Sequence, residues 1–241
     1  MQLSEKNNKN TKNDYLSSSD LLAHHPCLRE LVGHVPASVL IVVDDVRVEW
    51  SPKTLDAFSQ YAALILEWND RAGLISPHDM PHLAERHILD ALSLLPYLPM
   101  QNDGKTTLMD IGSGAGFPAL PLKIVRNDLD ITLIERNARK VSFLEWTIKA
   151  LSLQDIRVLA GEFPSRRSET TPRFITARAV EKPERLLKSL KNVLAPETVF
   201  ICQFQNPKKM LGPMFHVEHV EDVWSRRGWR RGHLSIVTRR H

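Results

Sequence analysis

Apolar residues recur at every third or fourth position in two early segments of the chain. The first segment begins at Ser51-Pro52 and ends before Gly73, and the second covers about 79–95. This spacing places the apolar side chains on one face and is typical of amphipathic helices. We therefore predict an N-terminal helical cap over 51–100. Residues 1–50 begin with a polar stretch rich in asparagine and lysine, and we expect a poorly ordered or appended extension there.

The pattern changes after residue 100, where short apolar runs alternate with helical periodicity. Strands are predicted at 106–111, 131–135, 156–159, 174–177 and 198–203, and helices at 118–126, 137–151 and 183–193. This alternation predicts an α/β fold with a doubly wound, mostly parallel sheet over 101–241. Two last strand-like runs, 216–224 and 233–238, surround a turn rich in arginine and predict an antiparallel edge of the sheet.

The loop after the first predicted strand carries the most informative motif of the chain. It reads Asp110-Ile-Gly-Ser-Gly-Ala-Gly-Phe-Pro118, with an acid at the end of the strand and glycines at alternate positions. Glycine adopts positive φ readily and lets a ligand lie against bare backbone. Open α/β sheets bind nucleotides at the carboxyl ends of their strands. The loop therefore predicts a site for a cofactor that contains adenosine.

Two kinds of cofactor fit this loop. The run from Gly114 to Ala119 matches the G-x-G-x-x-G/A fingerprint of nicotinamide dinucleotide sites. The run from Asp110 to Gly116 resembles the acid-x-Gly-x-Gly-x-Gly loop of class I methyltransferases, which bind S-adenosylmethionine. Glu135 ends the second predicted strand, where a carboxylate can accept both ribose hydroxyls of either cofactor; a solvated acid is the alternative. The antiparallel edge favours the methyltransferase.

Further segments occur in the same order as in one bacterial family. They are Leu66-Glu-Trp-Asn69, Glu85-Arg-His-Ile-Leu-Asp-Ala91, Asp110-Ile-Gly-Ser-Gly-Ala-Gly-Phe-Pro118 and Ala177-Arg-Ala179. Over about 55–205 the chain resembles the bacterial small-subunit ribosomal RNA guanine-N7 methyltransferases, also called glucose-inhibited division protein B. The resemblance implies a Rossmann-like class I fold and methyl transfer from S-adenosylmethionine to N7 of a guanine in 16S rRNA. The implied partner is the 30S subunit or one of its assembly intermediates.

The motif and the resemblance together define the candidate site. The predicted cofactor-binding residues are Asp110, Gly112, Ser113, Gly114, Gly116, Phe117, Glu135, Ala160, Gly161, Glu162 and Arg178. The resemblance implies those after the third and fourth strands, which are Ala160 to Glu162 and Arg178. Arg178 is also the candidate catalytic residue, because its planar guanidinium can bind guanine O6 or a phosphate and so position the substrate. The alternative for Arg178 is a salt bridge at the end of the strand.

Arg86, His87 and Asp90 lie close together on the second predicted helix. In one interpretation Arg86 and Asp90 form an ion pair as helical neighbours, and His87 packs between the cap and the sheet. In the other, the three side chains face RNA or cover the cofactor. The sequence does not decide between these interpretations.

The chain departs from the pattern of this family at three places. Ala119 follows Phe-Pro where the family usually has glycine, 159–163 replaces an Arg-Ala-Glu-like run, and 195–205 lacks the usual Pro-Gly-Gly and the strand ending in Leu-Lys. The changed strand after residue 198 motivates a second hypothesis, a catalytically inactive relative that binds S-adenosylmethionine or RNA. A third hypothesis, an NAD-dependent oxidoreductase, rests on the match at 114–119.

The amino-acid composition gives the chain a small net positive charge. The 241 residues carry a net charge of +4 and a pI of about 9.1, which is compatible with an anionic partner. Basic residues start the helix after the second strand and recur with tryptophans in the last turn. They are Arg136, Arg139 and Lys140, and then Arg226, Arg227, Arg230 and Arg231 with Trp224 and Trp229. Such clusters suit phosphate contact and base stacking, although a solvated hairpin tip is the alternative for the last turn.

Several other classes of protein find no support in the sequence. Cys27 and Cys202 are far apart, and the histidines lack cysteine or carboxylate partners at metal-ligand spacing, so we predict no metal site. No apolar run approaches the roughly 18 residues of a membrane span, and the N-terminus lacks the apolar core of a signal peptide. We expect a cytoplasmic protein, without membrane contact, that acts as a monomer.

Overall fold

The computed structural model describes residues 52–99, 101, 104–164, 171–178, 183–190, 194–203, 207–221 and 233–240. The predictions for residues 1–50, for Ala179 and for the arginine-rich turn before the last strand lie outside these ranges. The division of the chain at residues 50 and 100 stays a prediction.

Helix α1, Pro52–Ala72, agrees with the first predicted helix. Its buried face includes Phe58 and Tyr61, both fully removed from solvent. Gly73 ends the helix with a φ of 58°, and its amide donates to the Asn69 carbonyl at 2.8 Å. This left-handed residue after the last turn is the usual way to terminate a helix, because glycine has no side chain to strain there.

The second predicted helix, 79–95, is not one continuous α-helix. It consists of a 3₁₀-helix at Met80–His82, a π-helix at Ala84–Leu89, a single α-helical turn at Asp90–Leu92 and a 3₁₀-helix at Leu95–Tyr97. Pro81 and Pro96 each lie at the start of a 3₁₀-helix. Because proline has no amide hydrogen and is tolerated only in a first turn, these residues divide the segment. The π-helix has a wider turn, and such turns are frequent at functional sites.

Seven strands form one sheet in the order β3-β2-β1-β4-β5-β7-β6. They are β1 Thr106–Ile111, β2 Leu129–Glu135, β3 Ile156–Ala160, β4 Phe174–Arg178, β5 Val199–Gln203, β6 Phe215–Val220 and β7 Leu234–Arg239. Strands β1 to β5 pair in parallel, whereas β7 is antiparallel to β5 and β6. The predicted doubly wound sheet with an antiparallel edge is confirmed. The strand order reverses between β1 and β4, where open α/β sheets form a ligand crevice.

Further helices connect the strands. They are α2 Ala119–Val125, α3 Ala138–Ala150, α4 Pro183–Leu190 and α5 Pro207–Leu211. The Asn137 side chain caps α3 by accepting hydrogen bonds from two amides of the first turn, which explains why the helix begins there. Sequence periodicity does not predict α5, because five residues are too few to show a helical repeat.

The cap and the sheet share one hydrophobic core. Tyr61 of α1 and Leu120 of α2 belong to the same buried cluster, which also includes residues of one face of the sheet. A buried side chain adds a polar link, because Arg126 donates to the carbonyl of Leu98 at 2.8 Å. A second cluster fills the other face of the sheet against α4. Within the described part of the chain, no helix is both long and apolar enough to cross a bilayer.

Candidate active site

A pocket opens at the carboxyl ends of β1, β2 and β4, where the strand order reverses. Its cavity volume is about 380 Å³, within the range of small-molecule sites. Most of the predicted cofactor-binding residues line it, namely Gly112, Ser113, Gly114, Phe117, Glu135, Gly161, Glu162 and Arg178. Residues that were not predicted for cofactor binding complete the wall, among them Leu74, Ile75, His87, Asn137, Lys140, Phe163 and Arg185.

Three predicted residues do not line the pocket. Asp110 is buried behind the glycine loop, and Gly116 packs against α1 and α2. Ala160 is exposed at the end of β3. The first two therefore support the loop from behind, and direct contact of any of the three with a cofactor stays a prediction.

The glycine loop is held tightly against the sheet. The amides of Gly112 and Ser113 both donate to the carbonyl of Ile134, at 2.8 and 3.2 Å. Gly116 has a φ of 93°, and a Cβ atom added there would lie 2.3 Å from the Cδ1 atom of Leu120. Glycine is therefore required at 116 for two reasons, its backbone conformation and the lack of space.

Tyr61 ties the cap to this loop. Its hydroxyl donates a hydrogen bond to the carbonyl of Ala115 at 2.6 Å, and its ring lies 5.5 Å from that of Phe117. Burial raises the pKa of Tyr61 well above its usual value, so the hydroxyl keeps its proton and remains a donor. The apolar spacing predicts Tyr61 on the buried face of α1 but does not connect it with the loop, since Tyr61 and Ala115 are 54 residues apart.

Glu135 is buried at the end of β2 and lines the pocket. Its Oε2 accepts a hydrogen bond from the amide of Gly114 at 2.9 Å, and its Oε1 accepts one from the amide of Asn137 at 2.8 Å. Glu135, at the end of β2, is therefore not a solvated acid. Each carboxylate oxygen can accept a second hydrogen bond, so the predicted ribose contact fits this geometry and stays a prediction.

Asp110 is the residue before the last in β1, lies beneath the loop and is 1% exposed. Its Oδ1 accepts a hydrogen bond from the Thr176 hydroxyl at 2.7 Å, whereas Oδ2 has no hydrogen-bond partner within the described residues. Burial raises the pKa of Asp110 to about 7, and the hydrogen bond from Thr176 opposes this rise in part. The carboxyl group thus holds its proton more firmly than an exposed aspartic acid does.

We expect Asp110→Asn to change how stability depends on pH. The folded pKa of about 7 exceeds the unfolded value of 3.8, so the folded state binds the extra proton. The wild type therefore loses stability as pH rises from about 4 to 7, by about 2–3 kcal/mol between pH 5 and 8. The amide side chain of the variant is neutral at all these pH values, so the variant lacks this loss.

Urea unfolding of both proteins at pH 5, 6, 7 and 8 measures the effect. The free energy of unfolding of the variant relative to the wild type should rise with pH. A constant difference between the two proteins would contradict the raised pKa.

Arg178 ends β4, and its side chain is 14% exposed. Its Nη2 donates to the carbonyl of Arg86 at 2.7 Å and to Nδ1 of His87 at 3.0 Å. Its Nη1 forms an ion pair with Oδ2 of Asp90 at 3.2 Å but has no hydrogen-bond partner in the described part of the chain. Burial lowers the pKa of Arg178 and the Asp90 carboxylate raises it. Arg178 thus forms a salt bridge at the end of β4, which was the alternative prediction. It also lines the pocket, where a substrate-positioning residue would have to lie.

Asp90 and Gln203 hold Arg178 from behind. Asp90 is 1% exposed, and the Gln203 amide donates to its two carboxylate oxygens at 2.9 and 3.0 Å. Gln203 ends β5, 113 residues away in sequence. A buried carboxylate needs such partners, because an isolated buried charge is very costly. Sequence analysis does not predict the role of Gln203.

His87 and Phe117 form the wall beside Arg178. Since an arginine only donates, Nδ1 of His87 accepts the bond from Arg178, and the neutral imidazole carries its proton on Nε2. The rings of His87 and Phe117 lie 5.0 Å apart, and the Arg178 guanidinium lies 5.7 Å from the Phe117 ring. Phe117 is 7% exposed, so it belongs to the core and also lines the pocket.

The pair between Arg86 and Asp90, which one of the two interpretations contained, does not form. Arg86 instead contacts Asp79 at 2.9 Å, and Asp90 contacts Arg178. The π-helix is the reason, because its wider turn changes which side chains share a face. His87 lines the pocket, whereas Asp90 lies behind Arg178, so contact of this segment with RNA or a cofactor stays a prediction.

The pocket end beyond β3 carries Gly161, Glu162 and Phe163. Glu162 forms ion pairs with Arg136 at 3.2 Å and Arg185 at 3.1 Å, and all three side chains are about half exposed or more. Exposed pairs of this kind contribute little to stability. Among the described residues, no group of three or more His, Cys, Asp or Glu side chains could hold a metal ion.

The sheet and the pocket define the class of this protein. A mostly parallel seven-stranded sheet with an antiparallel β7, a glycine loop after β1 and a carboxylate at the end of β2 are features of class I methyltransferases. The GidB family model, described as rRNA small subunit methyltransferase G, matches residues 54–205. This match spans more than half of the chain, and the chain belongs to the GidB family.

Individual relatives agree with this result. Ribosomal RNA small subunit methyltransferase G 1 of Syntrophobacter fumaroxidans is 36% identical over 156 residues, which cover 62% of this chain and 69% of that protein. Ribosomal RNA small subunit methyltransferase G of Halorhodospira halophila is 31% identical over 160 residues, with 66% and 74% covered. A crystal structure of a mutant of MtNAS in complex with S-adenosylmethionine matches with a TM-score of 0.51 and 13% identity. The match covers 95% of this chain and 94% of that chain, and at this identity it shows the fold alone.

Family membership confirms the main predictions. The protein is an S-adenosylmethionine-dependent methyltransferase that acts on small-subunit rRNA. The comparisons favour neither the inactive relative nor the NAD-dependent oxidoreductase.

Proposed function

We propose that this protein methylates N7 of a guanine in 16S rRNA, in the 30S subunit or one of its assembly intermediates. The observation that supports this most is the position of Arg178, which lines the pocket while Asp90 pairs with it from behind. The Arg178 side chain is 14% exposed, although its Nη1 atom is buried against Asp90. Guanine presents the acceptors O6 and N7 on one edge, and arginine is the side chain that most often recognises that edge.

The pocket residues fit S-adenosylmethionine. Gly112 and Gly114 offer backbone without side chains, against which the methionine and ribose parts would lie. Glu135 can accept the ribose hydroxyls through its remaining lone pairs. Gly161 and Glu162 would hold the adenine. When bound, S-adenosylmethionine supplies a methyl group on a positively charged sulfur.

The chain needs no general base for this reaction. Guanine N7 carries a lone pair in the plane of the ring and no proton. Asp110 and Asp90 do not line the pocket, and both oxygens of the pocket-lining Glu135 accept hydrogen bonds from backbone amides. The protein accelerates the reaction by holding the base with N7 directed at the methyl group.

Asp90 makes Arg178 a suitable group for this task. Methylation leaves a positive charge on the guanine, and an uncompensated arginine in a poorly solvated pocket would repel it. Asp90 forms a neutral pair with Arg178, and Gln203 keeps the carboxylate in place. Arg178 can therefore donate to O6 without opposing the charge that develops. Asp90 and Gln203 act as positioning residues in this proposal.

Undermethylated 30S subunits and radiolabelled S-adenosylmethionine test the proposal. We expect label in 16S rRNA and, by mass mapping, one N7-methylguanosine. Fully methylated subunits serve as the control and should accept no label. Absence of label, or a methyl group on another atom, would contradict the proposal. Protein-free 16S rRNA in a parallel reaction distinguishes free RNA from an assembled particle. Cytoplasmic location and a monomeric state stay predictions.

A further inference from the structure

We propose that the RNA flanking the target guanine docks on a surface formed by the end of α1 and the first half of α3. This surface, called the Trp146 surface, consists of Trp68 and Arg71 of α1 and Arg139, Lys140 and Trp146 of α3. The inference rests on the proposed function, since it assumes an RNA substrate in the adjoining pocket.

Trp146 supplies an exposed aromatic ring. It is 52% exposed, although burial of so large an aromatic side chain would be favourable in free energy. Its ring lies 6.4 Å from that of Trp68, which packs on the buried Phe143 at 6.0 Å. The two tryptophans are therefore supported from below and offer a rigid platform. Base stacking on such rings is the usual way to bind single-stranded RNA without regard to sequence.

Cations surround this platform. The guanidinium of Arg71 lies 5.2 Å from the centre of the Trp68 ring, and Arg139 donates to the Arg71 carbonyl at 3.3 Å. Arg139 and Lys140 lie in the first turn of α3, which contains no acidic residue. Cations are unfavourable at that end of a helix because of its dipole. A bound phosphate would compensate for both the charge and the dipole.

Three acidic residues lie on the same stretches of the two helices as the three cations Arg71, Arg139 and Lys140. Glu67 contacts Arg71 at 3.5 Å, but both side chains are about half exposed or more, and such a pair is weak. Asp70 and Glu145 are the other acids on these stretches of the helices, and both are exposed. The exposed Trp146 ring on the same helix as Arg139 and Lys140, whose first turn contains no acid, favours RNA over a protein partner, whose contact would more often be apolar.

The Trp146 surface begins at the rim of the pocket. Lys140 lines the pocket, and the adjacent Arg139 lies seven residues before Trp146, on the same face of α3. Six residues of helix span about 9 Å, which corresponds to about two or three stacked nucleotides. A guanine in the pocket would thus leave its neighbours on the strand beside Trp146.

Substitution of Trp146 tests the inference. We expect Trp146→Ala to raise the KM for undermethylated 30S subunits about fivefold or more, because one stacking contact is lost. The affinity for S-adenosylmethionine and kcat should stay unchanged. Trp146→Phe keeps an aromatic ring and should recover most of the loss. Arg139→Ala should also raise KM and reduce the dependence of RNA binding on salt.

A matched control lies at the opposite end of the parallel strands. Lys105 precedes β1 and forms an exposed pair with Asp155, so Lys105→Ala removes a similar charge far from the pocket. This variant should leave KM unchanged. Thermal unfolding of each variant shows that it is folded.

The outcomes separate this inference from the proposed function. An unchanged KM for both Trp146→Ala and Arg139→Ala, with an active wild type, would overturn the docking surface alone. An inactive wild type would overturn the proposed function, and titration of protein-free 16S rRNA with each variant would still test the surface. A Trp146→Ala effect on assembled subunits but not on that RNA would assign the surface to a ribosomal protein and overturn the RNA contact.

Discussion

Arg178→Lys is expected to lower kcat for methylation of 30S subunits by about 100-fold, with the affinity for S-adenosylmethionine changed by less than about threefold. Lysine keeps the positive charge but loses the planar fork of donors. The guanidinium contacts the Arg86 carbonyl, His87 and Asp90 at once. An ammonium group can satisfy Asp90 but cannot also present a fixed donor to the base.

Single-turnover rates with saturating substrate measure this effect, because they report the methyl transfer step apart from binding. Arg185→Lys is the matched control, since Arg185 lines the same pocket but forms only an exposed pair with Glu162. The control should stay within about twofold of the wild-type rate. Equal losses in both variants, or no loss in Arg178→Lys, would remove Arg178 from its assigned role.

Asp90→Asn extends this test to the positioning residue. The substitution keeps the shape of the side chain but leaves the charge of Arg178 uncompensated. We expect kcat to fall here as well, with the affinity for S-adenosylmethionine retained. Because both residues act as a unit, the double variant should lose little more than the worse single variant. Additive losses would show that Asp90 acts independently of Arg178.

Gly116→Ala is expected to destabilise the fold by about 2–4 kcal/mol and to weaken binding of S-adenosylmethionine strongly. The new Cβ would lie 2.3 Å from Leu120 and 3.2 Å from the Tyr61 hydroxyl. The backbone φ of 93° adds strain for any residue with a side chain. Relief of the clash would move the loop that forms the floor of the pocket.

Gly104→Ala separates the two causes of this loss. Gly104 has a similar φ of 85°, but a Cβ atom there meets nothing within 4 Å. We expect it to cost about 1 kcal/mol, and to leave binding of S-adenosylmethionine intact. Chemical denaturation and calorimetric titration of both variants give the two quantities. Equal stability losses at 116 and 104 would contradict the steric part of the explanation.

Local patterns were sufficient to predict most of the fold. Alternation of apolar runs and helical periods predicted the parallel strands, and the antiparallel edge followed from the last two runs. The segment 79–95 shows the limit of this approach. A π-helix has nearly the same apolar spacing as an α-helix, and only the hydrogen bonds of the folded chain distinguish the two.

The sequence predicted the site residues that belong to short motifs or lie at strand ends. It did not predict the residues that support the site through contacts between distant parts of the chain. The glycine loop, Glu135 and Arg178 lie at strand ends and line the pocket. Tyr61 and Gln203 belong to no sequence motif, since each forms its hydrogen bond with a residue far away in the sequence. Side-chain contacts over such separations depend on how the helices pack on the sheet, which periodicity does not specify.

The bond from Tyr61 to the Ala115 carbonyl has a consequence for the energetics of ligand capture. The loop is immobilised when α1 docks, so its entropy is lost on folding and not again on binding. Calorimetry should therefore show only a small entropic penalty for S-adenosylmethionine. A fragment that starts after the cap would lack this hydrogen bond and would expose the core that the cap shares with the sheet, so we expect it to be inactive.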